Sequence, residues 1–580
     1  MPFSDFGVFL GDISRAEIKH YTKDPLKAQK QVLKKIIRRN KNCELGKKLN
    51  LKDVHSIEDY QQKVPFSTYA DYEPYVERMI NNGEDRIMFS GKTYRYASSS
   101  GSVGKPKILP KGLNDLWKMQ CLGFSTSVAT AFHYLKDKKG VRMVNQVGPL
   151  ALNLSGHKLK DGKQCNGAGQ IPLRYLKPLL PFFCTSPIEL LFPSLEDKLD
   201  TSYLHLRFCL ENKKVSYLGS MVVTLLTCMF DYLEDNWEML CDDIEKGIIN
   251  PNIDITPELR KKFEKRFKPN PERAAELRKE FEKGFDDPIA PRIWPNLQWA
   301  YGMMGSNLLV YVEKLRKAIG PDVPMHNMGY AAAEGYFAAP TELDVSDYVL
   351  LPWCTFLEFL PISDDEEDEA DDTVRPLLMN ELEIGKCYEM VVTNFSGLYR
   401  YRIQDVVRVT RMYNNTPEVE LLFRQNLSMN VANEKTSTDM VIAAAQNAAK
   451  EMGVEYQGFS FYPDFSTKPP RYTMLCELKD GALDEEGRQK FIDTLDHEFD
   501  EINEKYYKYR RWGMLNRPEV LFLKEKTYVG YNDYLASKGV VLNQIKPVTV
   551  INSKDRENYF FSHVATETDL VDYVLNKNKE

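Results

Sequence analysis

Several signatures that would place a chain quickly are missing from these 580 residues. The 10 cysteines are scattered and never form a C-x-x-C pair. That removes a zinc ribbon and fits reduced thiols better than a disulfide framework. Basic charge is not in excess: 77 Lys+Arg against 83 Asp+Glu leave a formal net charge of −6. No nucleic-acid footprint is therefore expected. The apolar run Leu218 to Phe230 falls short of the ~20 residues that a spanning helix needs. The opening MPFSDFGVFLGDISRAE has no basic region ahead of its apolar positions, unlike a secretory signal. A soluble, cytoplasmic chain without a membrane partner is expected.

Two nucleotide loops are missing as well. A Walker A loop needs G-x-x-x-x-G-K-[ST]. Gly91-Lys92-Thr93 mimics its end, but Arg86 stands where the first glycine belongs. Asn166-Gly167-Ala168-Gly169 lacks G-x-G-x-x-G spacing and reads as a turn. The acidic run Asp364 to Asp372, broken only by Ala370, lacks calcium-loop spacing and reads as a solvated loop.

Present instead is Tyr96 to Lys107, YASSSGSVGKPK, after a short strand predicted at Lys92 to Tyr96. Gly101 and Gly104 let the backbone turn tightly and approach an anion. Ser99, Ser100 and Ser102 supply hydroxyls, the freed N–H groups surround phosphate oxygens, and Lys107 adds a point charge. Ser-Ser-Gly-Ser-x-Gly-x-Pro-Lys resembles the phosphate loop of the adenylate-forming enzymes. On the loop alone, a plain polar loop stays open.

Around it the chain reads as α/β. Hydrophobic content of 43% and aromatic content of 12% supply a large core. Helices are predicted at Thr22 to Arg39, Tyr69 to Ile80 and Leu113 to Tyr134, and as a charged pair within residues 256 to 285. The basic face of the first is read as solvated. Short apolar runs between Gly/Pro breaks over residues 141 to 230 indicate strands and helices. Further strands are predicted at Thr355 to Pro361 and Cys387 to Thr393.

Two further stretches carry candidate chemistry. Val323 to Phe337 runs as an apolar strand into Tyr330, three alanines and Glu334. A hard cation takes oxygen ligands, so one carboxylate completed by phosphate is a workable site. In Gly397 to Val407, Asp405 follows a Tyr-Arg pair at the edge of a strand, where a carboxylate can accept both ribose hydroxyls. A surface glutamate at a helix start and an aspartate that merely turns the chain are the plainer alternatives.

Taken in order, SSGSVGKPK, IWPN with GYAAAEGYF, FLEFLP, GLYRYRIQDVV, RQNLSMNVANEKT and NQIKPV resemble the acyl-acid amido synthetases of the auxin-responsive Gretchen Hagen family, over roughly residues 60 to 550. That family is a branch of the adenylate-forming enzymes. It usually has glycine where Gln404 stands and serine near Ala332 and Ala333.

The resemblance implies an α/β fold: a large N-terminal adenylate-forming domain of mixed sheets and helices, residues 1–423, and a small mobile α+β C-terminal domain, residues 424–580. It implies ATP and Mg²⁺, a small-molecule carboxylic acid and an amino acid as partners. Ser99, Ser100, Gly101, Ser102, Gly104 and Lys107 would hold phosphates, Tyr330 would lie by adenine, Glu334 would hold Mg²⁺ and Asp405 the ribose. Arg424 resembles the hinge, and Lys435 and Lys546 the lysines that the small domain brings to the nucleotide. An acyl-CoA ligase and a non-catalytic acid-binding protein on the same fold are the alternatives. No glycine occurs between Arg424 and Gly453, where a CoA ligase commonly lets pantetheine pass the backbone. The acid, the amino acid and the oligomeric state are not legible.

Overall fold

The computed structural model describes residues 3–98, 107–116, 124–139, 147–151, 157–167, 177–178, 180–193, 197, 199–304, 309–362, 374–424, 429, 431, 434, 436–479, 483–511, 515–537, 547–551 and 554–566. Its strands, in chain order, are β1 (Arg95–Ser98), β2 (Ile108–Lys111), β3 (Leu150–Ala151), β4 (His157–Lys158), β5 (Gln164–Gly167), β6 (Tyr217–Val222), β7 (Trp299–Met303), β8 (Met325–Asn327) and β9 (Tyr330–Ala331). They continue as β10 (Tyr336–Ala339), β11 (Tyr348–Leu350), β12 (Phe356–Pro361), β13 (Cys387–Thr393), β14 (Tyr401–Tyr413), β15 (Thr416–Arg424), β16 (Tyr456–Asp464), β17 (Arg471–Leu478) and β18 (Glu519–Phe522).

Among the described residues these form four sheets, ordered β2-β1-β5-β4, β3-β6-β7-β8, β12-β13-β14-β15-β11-β10-β9 and β16-β17-β18. The second is parallel throughout. Its strand β6 is buried at every position, as expected where helices cover both faces of a parallel sheet. Helices Thr201–Leu210 and Val223–Lys246 share its apolar core with the charged pair Pro257–Glu264 and Pro271–Phe281. The seven-stranded sheet is antiparallel and packs on the helices Pro25–Asn40 and Tyr69–Asn82.

Local signals explain where these helices begin. Asp24 accepts from the Lys27 N–H at 3.0 Å, and Pro25 occupies the first turn, where a missing N–H costs nothing. The predicted start at Thr22 is therefore early by three residues: a separate helix, Phe3–Tyr21, ends just before Thr22, and the next begins only at Pro25. The stripe Val32, Leu33 and Ile36 is buried. Gln29 fastens this helix to the sheet by donating to the carbonyls of Pro352 and Thr355 and accepting from the Leu357 N–H.

Beyond residue 428 lies a smaller α+β unit, with helices Thr438–Met452 and Glu485–Ile502 packed on β16 and β17. Phe491, Leu495, Phe499, Ile502 and Tyr506 keep the spacing of one long amphipathic helix, but the helix is broken at Asn503 (φ −127°, ψ 101°), and Glu504–Arg511 follows as a separate helix. The helix expected over Leu113 to Tyr134 is described as Leu113–Asp115 and Phe124–Lys139, with 117–123 outside the described residues. So is the acidic run 364–372. Among the described residues no helix is long and apolar enough to cross a membrane.

Candidate active site

Strand β14 carries or meets four of the candidate residues that are described, Lys107, Tyr330, Asp405 and Arg424. Tyr401 begins it, and the Lys107 ammonium donates to the Tyr401 hydroxyl at 3.3 Å, 6.0 Å from the ring centre of Tyr69. Asp405 does not lie at a strand edge, as expected above. It sits within β14, buried to 4% exposure, opposite Arg424 of β15. The candidate ribose acid and the candidate hinge are thus neighbours across one antiparallel pair. Between Arg402 and Val406 the β13–β14 register slips, and Gln404 takes φ +66°. This left-handed residue at a bulge re-aims the chain. It is also where the resemblance expects glycine, the residue that adopts such a φ without Cβ strain.

The second element is the β9–β10 hairpin. Glu334 lies in a tight turn, not at the helix start of the plainer alternative; the turn is closed by Ala332 N–H to Gly335 C=O at 2.9 Å and Gly335 N–H to Ala332 C=O at 3.3 Å. Tyr330, packed beside Phe337 at 5.2 Å between ring centres, donates its hydroxyl to Asp405 Oδ2 at 2.5 Å. Sequence positions 75 apart therefore meet directly. Glu334 is 5% exposed, yet among the described residues its carboxylate has no hydrogen-bonding or cationic partner. An isolated buried carboxylate is costly unless a cation joins it. The donor set fits Mg²⁺, a hard cation that prefers oxygen. No cluster of three His, Cys, Asp or Glu among the described residues could hold a metal unaided, so phosphate oxygens would complete the shell.

Ser99, Ser100, Gly101, Ser102 and Gly104, together with Lys435 and Lys546, lie outside the described residues. Of Arg424 only the backbone is described. The phosphate loop's flanks are described: Ser98 of β1 pairs with Ile108 of β2, which holds the two ends of the loop side by side. Asn166 and Gly167, expected in a turn, belong to β5 and pair in parallel with Ala97 and Ser98. The Gly-rich segment thus runs beside the loop's start.

Several residues went unnoticed in the sequence. Arg400 and Arg402 face protein acids: Arg400 pairs with Glu358 of the FLEFLP strand at 3.3 Å, and Arg402 grips Glu389 with two bonds of 3.0 and 2.6 Å. Burial pushes the Glu358 carboxyl above its usual range, against the pull of Arg400. The detectable signal was an acid inside an apolar strand, which requires a partner. His326 of β8 is likewise buried, with Nε2 3.0 Å from Ser127 Oγ, and burial lowers its imidazole to about 4. Asn394, just after β13, donates to the Glu334 backbone carbonyl at 2.8 Å.

Comparison with known proteins supplies independent findings. The GH3 family N-terminal domain matches residues 14–325, the GH3 family central domain residues 348–424, and the GH3 family C-terminal domain residues 439–555. A jasmonoyl–L-amino acid synthetase of Oryza sativa subsp. japonica is 28% identical over 567 residues, 92% of this chain and 94% of its own length. An indole-3-acetic acid-amido synthetase of Arabidopsis thaliana is 28% identical over 494 residues, 80% of this chain and 86% of its own. Among solved structures, an acyl acid amido synthetase superposes with a TM-score of 0.80 at 22% identity over 95% of both chains, which shows a shared fold.

Proposed function

The chain belongs to the GH3 family, and from that premise we propose that it adenylates a carboxylic acid with ATP and transfers the acyl group to an amino acid. In the first half-reaction a carboxylate oxygen attacks the α-phosphorus and pyrophosphate leaves. In the second the amine nitrogen attacks the acyl carbon, AMP leaves, and the amine's proton passes to solvent. The product is an amide. Relatives named for two different acids match at the same 28% identity, so identity does not choose the acid.

The observation that carries the proposal is the buried Glu334 carboxylate, without a partner among the described residues, in the hairpin whose Tyr330 meets Asp405. Glu334 would hold Mg²⁺. When bound, the ion neutralises charge on phosphate oxygens. Asp405 would accept the ribose hydroxyls, oriented by the Tyr330 hydroxyl while the Tyr330 ring lies by adenine. Lys107 and the loop Ser99 to Gly104 would hold the phosphates, and Lys435 and Lys546 would reach the nucleotide from residues 424–580, turning about Arg424. In-line displacement leaves the protein chiefly positioning and charge neutralisation. The nine described cysteines are free thiols, which suits the cytoplasmic setting we propose.

The test is a pyrophosphate-release screen of the full chain over carboxylic acids, each with a mixture of amino acids, followed by mass spectrometry. Expected are amides and AMP. Glu334→Gln, which keeps shape and removes charge, lowers adenylation by ~10². An acyl-CoA product without amide would overturn the second half-reaction. Wild-type adenylation by a folded Glu334→Gln protein would overturn the assignment of the metal acid.

A further inference from the structure

The turn Asn394–Arg400, between β13 and β14, touches two of the three candidate segments and leads into the third. Asn394 is fully buried, and its side-chain amide is engaged at both ends. Oδ1 accepts from the backbone N–H groups of Ser396 at 3.0 Å and Leu398 at 3.1 Å, while Nδ2 donates to the Glu334 carbonyl. Two residues on, Ser396 Oγ accepts from the N–H of Gly112, directly after β2 and the phosphate loop's exit. Five residues after Ser396, β14 begins and leads to Asp405. The turn itself cannot relax easily. Gly397 takes φ +92°, and a Cβ there would fall 2.3 Å from the Met88 carbonyl oxygen.

The choice of atom on Glu334 matters. The hairpin bonds of its turn use the groups of Ala332 and Gly335, and Asn394 takes the Glu334 carbonyl. Among the described residues nothing takes the carboxylate. A Cβ on Gly335 would meet Phe337 at 2.6 Å and Thr355 at 3.1 Å, so the turn is packed on its far side as well. The residue is therefore held by its backbone and by its neighbour, with its acid unspent.

We propose that Asn394 is a positioning residue for Glu334: it fixes the hairpin turn so that the buried carboxylate meets Mg²⁺ at one place, in register with the phosphate loop and with Asp405. This rests on the assignment of Glu334 as the metal acid. Outer partners that orient a metal ligand commonly change metal affinity by about 10- to 100-fold when removed.

The test uses the full chain and calorimetric titration of ATP with and without Mg²⁺, which requires no knowledge of the acid substrate. Asn394→Asp keeps the acceptor for Ser396 and Leu398 and replaces the N–H donor with an oxygen facing the Glu334 carbonyl. Expected is a loss of about 10-fold or more in ATP affinity when Mg²⁺ is present, with ATP affinity in its absence unchanged. In a Glu334→Gln background the same substitution should change little, because residues that act through one another are not additive. Should Asn394→Asp not fold, Asn394→Ser, smaller and uncharged, carries the same expectation. Equal losses with and without Mg²⁺, or a full further loss in the Glu334→Gln background, would overturn the positioning role. A Glu334→Gln protein that keeps the whole Mg²⁺-dependent gain would instead overturn the metal-acid assignment, and the proposal with it.

Discussion

Replacing Arg400 with methionine tests the pin that joins two of the sequence's motifs. The Arg400 side chain is 4% exposed and faces Glu358, which is 0% exposed. Its Nη1 donates to the carbonyls of Gln61 at 2.8 Å and Val64 at 2.7 Å, and the guanidinium lies 3.9 Å from the ring centre of Phe66. Methionine keeps the apolar stem and removes the charge and every donor. Gln61 Nε2 still reaches Glu358 at 3.1 Å, but one neutral amide does not replace a cation. Breaking a buried pair from one side costs roughly 3–5 kcal/mol, because the remaining charge stays uncompensated. The pH dependence follows from Glu358, whose carboxyl is already raised by burial and rises further without Arg400. A carboxyl raised in the folded state binds protons more readily there than in the unfolded chain. Its contribution to stability is present at low pH and is lost as pH climbs through the raised range. The deficit of Arg400→Met is therefore greatest at neutral pH and shrinks on acidification. Glu358→Gln combined with Arg400→Met should recover most of it, since no lone charge remains. Urea unfolding followed by tryptophan fluorescence reports chiefly the large domain, because five of the six tryptophans precede residue 424. A deficit under about 1 kcal/mol at neutral pH, or one that grows as pH falls, would refute the reasoning.

Two other perturbations have signs fixed by geometry. At an ordinary strand position alanine is more stable than glycine; at Gln404, with φ +66°, Gln404→Gly should exceed Gln404→Ala by about 1 kcal/mol in chemical unfolding, and the usual order would contradict the left-handed assignment. His326, lowered to about 4 by burial, is neutral in the folded protein, whereas its unfolded counterpart takes a proton near 6.5. Stability is therefore lost as pH falls from about 6.5 to about 4, by up to roughly 3 kcal/mol. His326→Gln should flatten that slope, and an unchanged slope would exclude His326 as its source.

What could be read from sequence was local or rested on the resemblance. The helix Thr438–Met452 is flanked by Ser437, whose hydroxyl accepts from the Met440 N–H, and by Gly453 at φ +66°. Both boundaries are chemical signals within one turn of the helix. Strand β13 spans the residues expected of it, Cys387 to Thr393. The break at Asn503 is hidden by the apolar stripe, which continues at helical spacing through Tyr506, although Asn503 is itself a capping residue type. It is set from both sides: the Asn503 oxygen accepts from the Tyr506 N–H and caps the next helix, while the side-chain amide donates to the distant Thr436 Oγ1 at 2.8 Å. Tertiary bonding overrides propensity there. The same holds for the site. Tyr330, Glu334 and Asp405 stood out once their motifs were set in order. Asn394 and the partnership of Arg400 with Glu358 link positions 60 and 42 residues apart, and no spacing rule reaches that far.

The charged residues of these motifs divide by what satisfies them. Glu358, Glu389, Arg400 and Arg402 are matched to one another across β12, β13 and β14, and so contribute shape rather than chemistry. Glu334 is not matched among the described residues. Among the described residues the sheet pairs the buried Glu358, Glu389 and Arg400 and the half-buried Arg402 internally and gives the buried Glu334 carboxylate no cation, which is the ground for the cation we propose there. The matched pairs and the unmatched acid belong to one arrangement. Rigid strands on either side of β14 keep the hairpin, the bulge at Gln404 and the Asp405 carboxylate at fixed separations. An ion and a nucleotide bound as we propose would meet groups that need no reorganisation, and preorganisation of this kind is where electrostatic catalysis gains most of its effect.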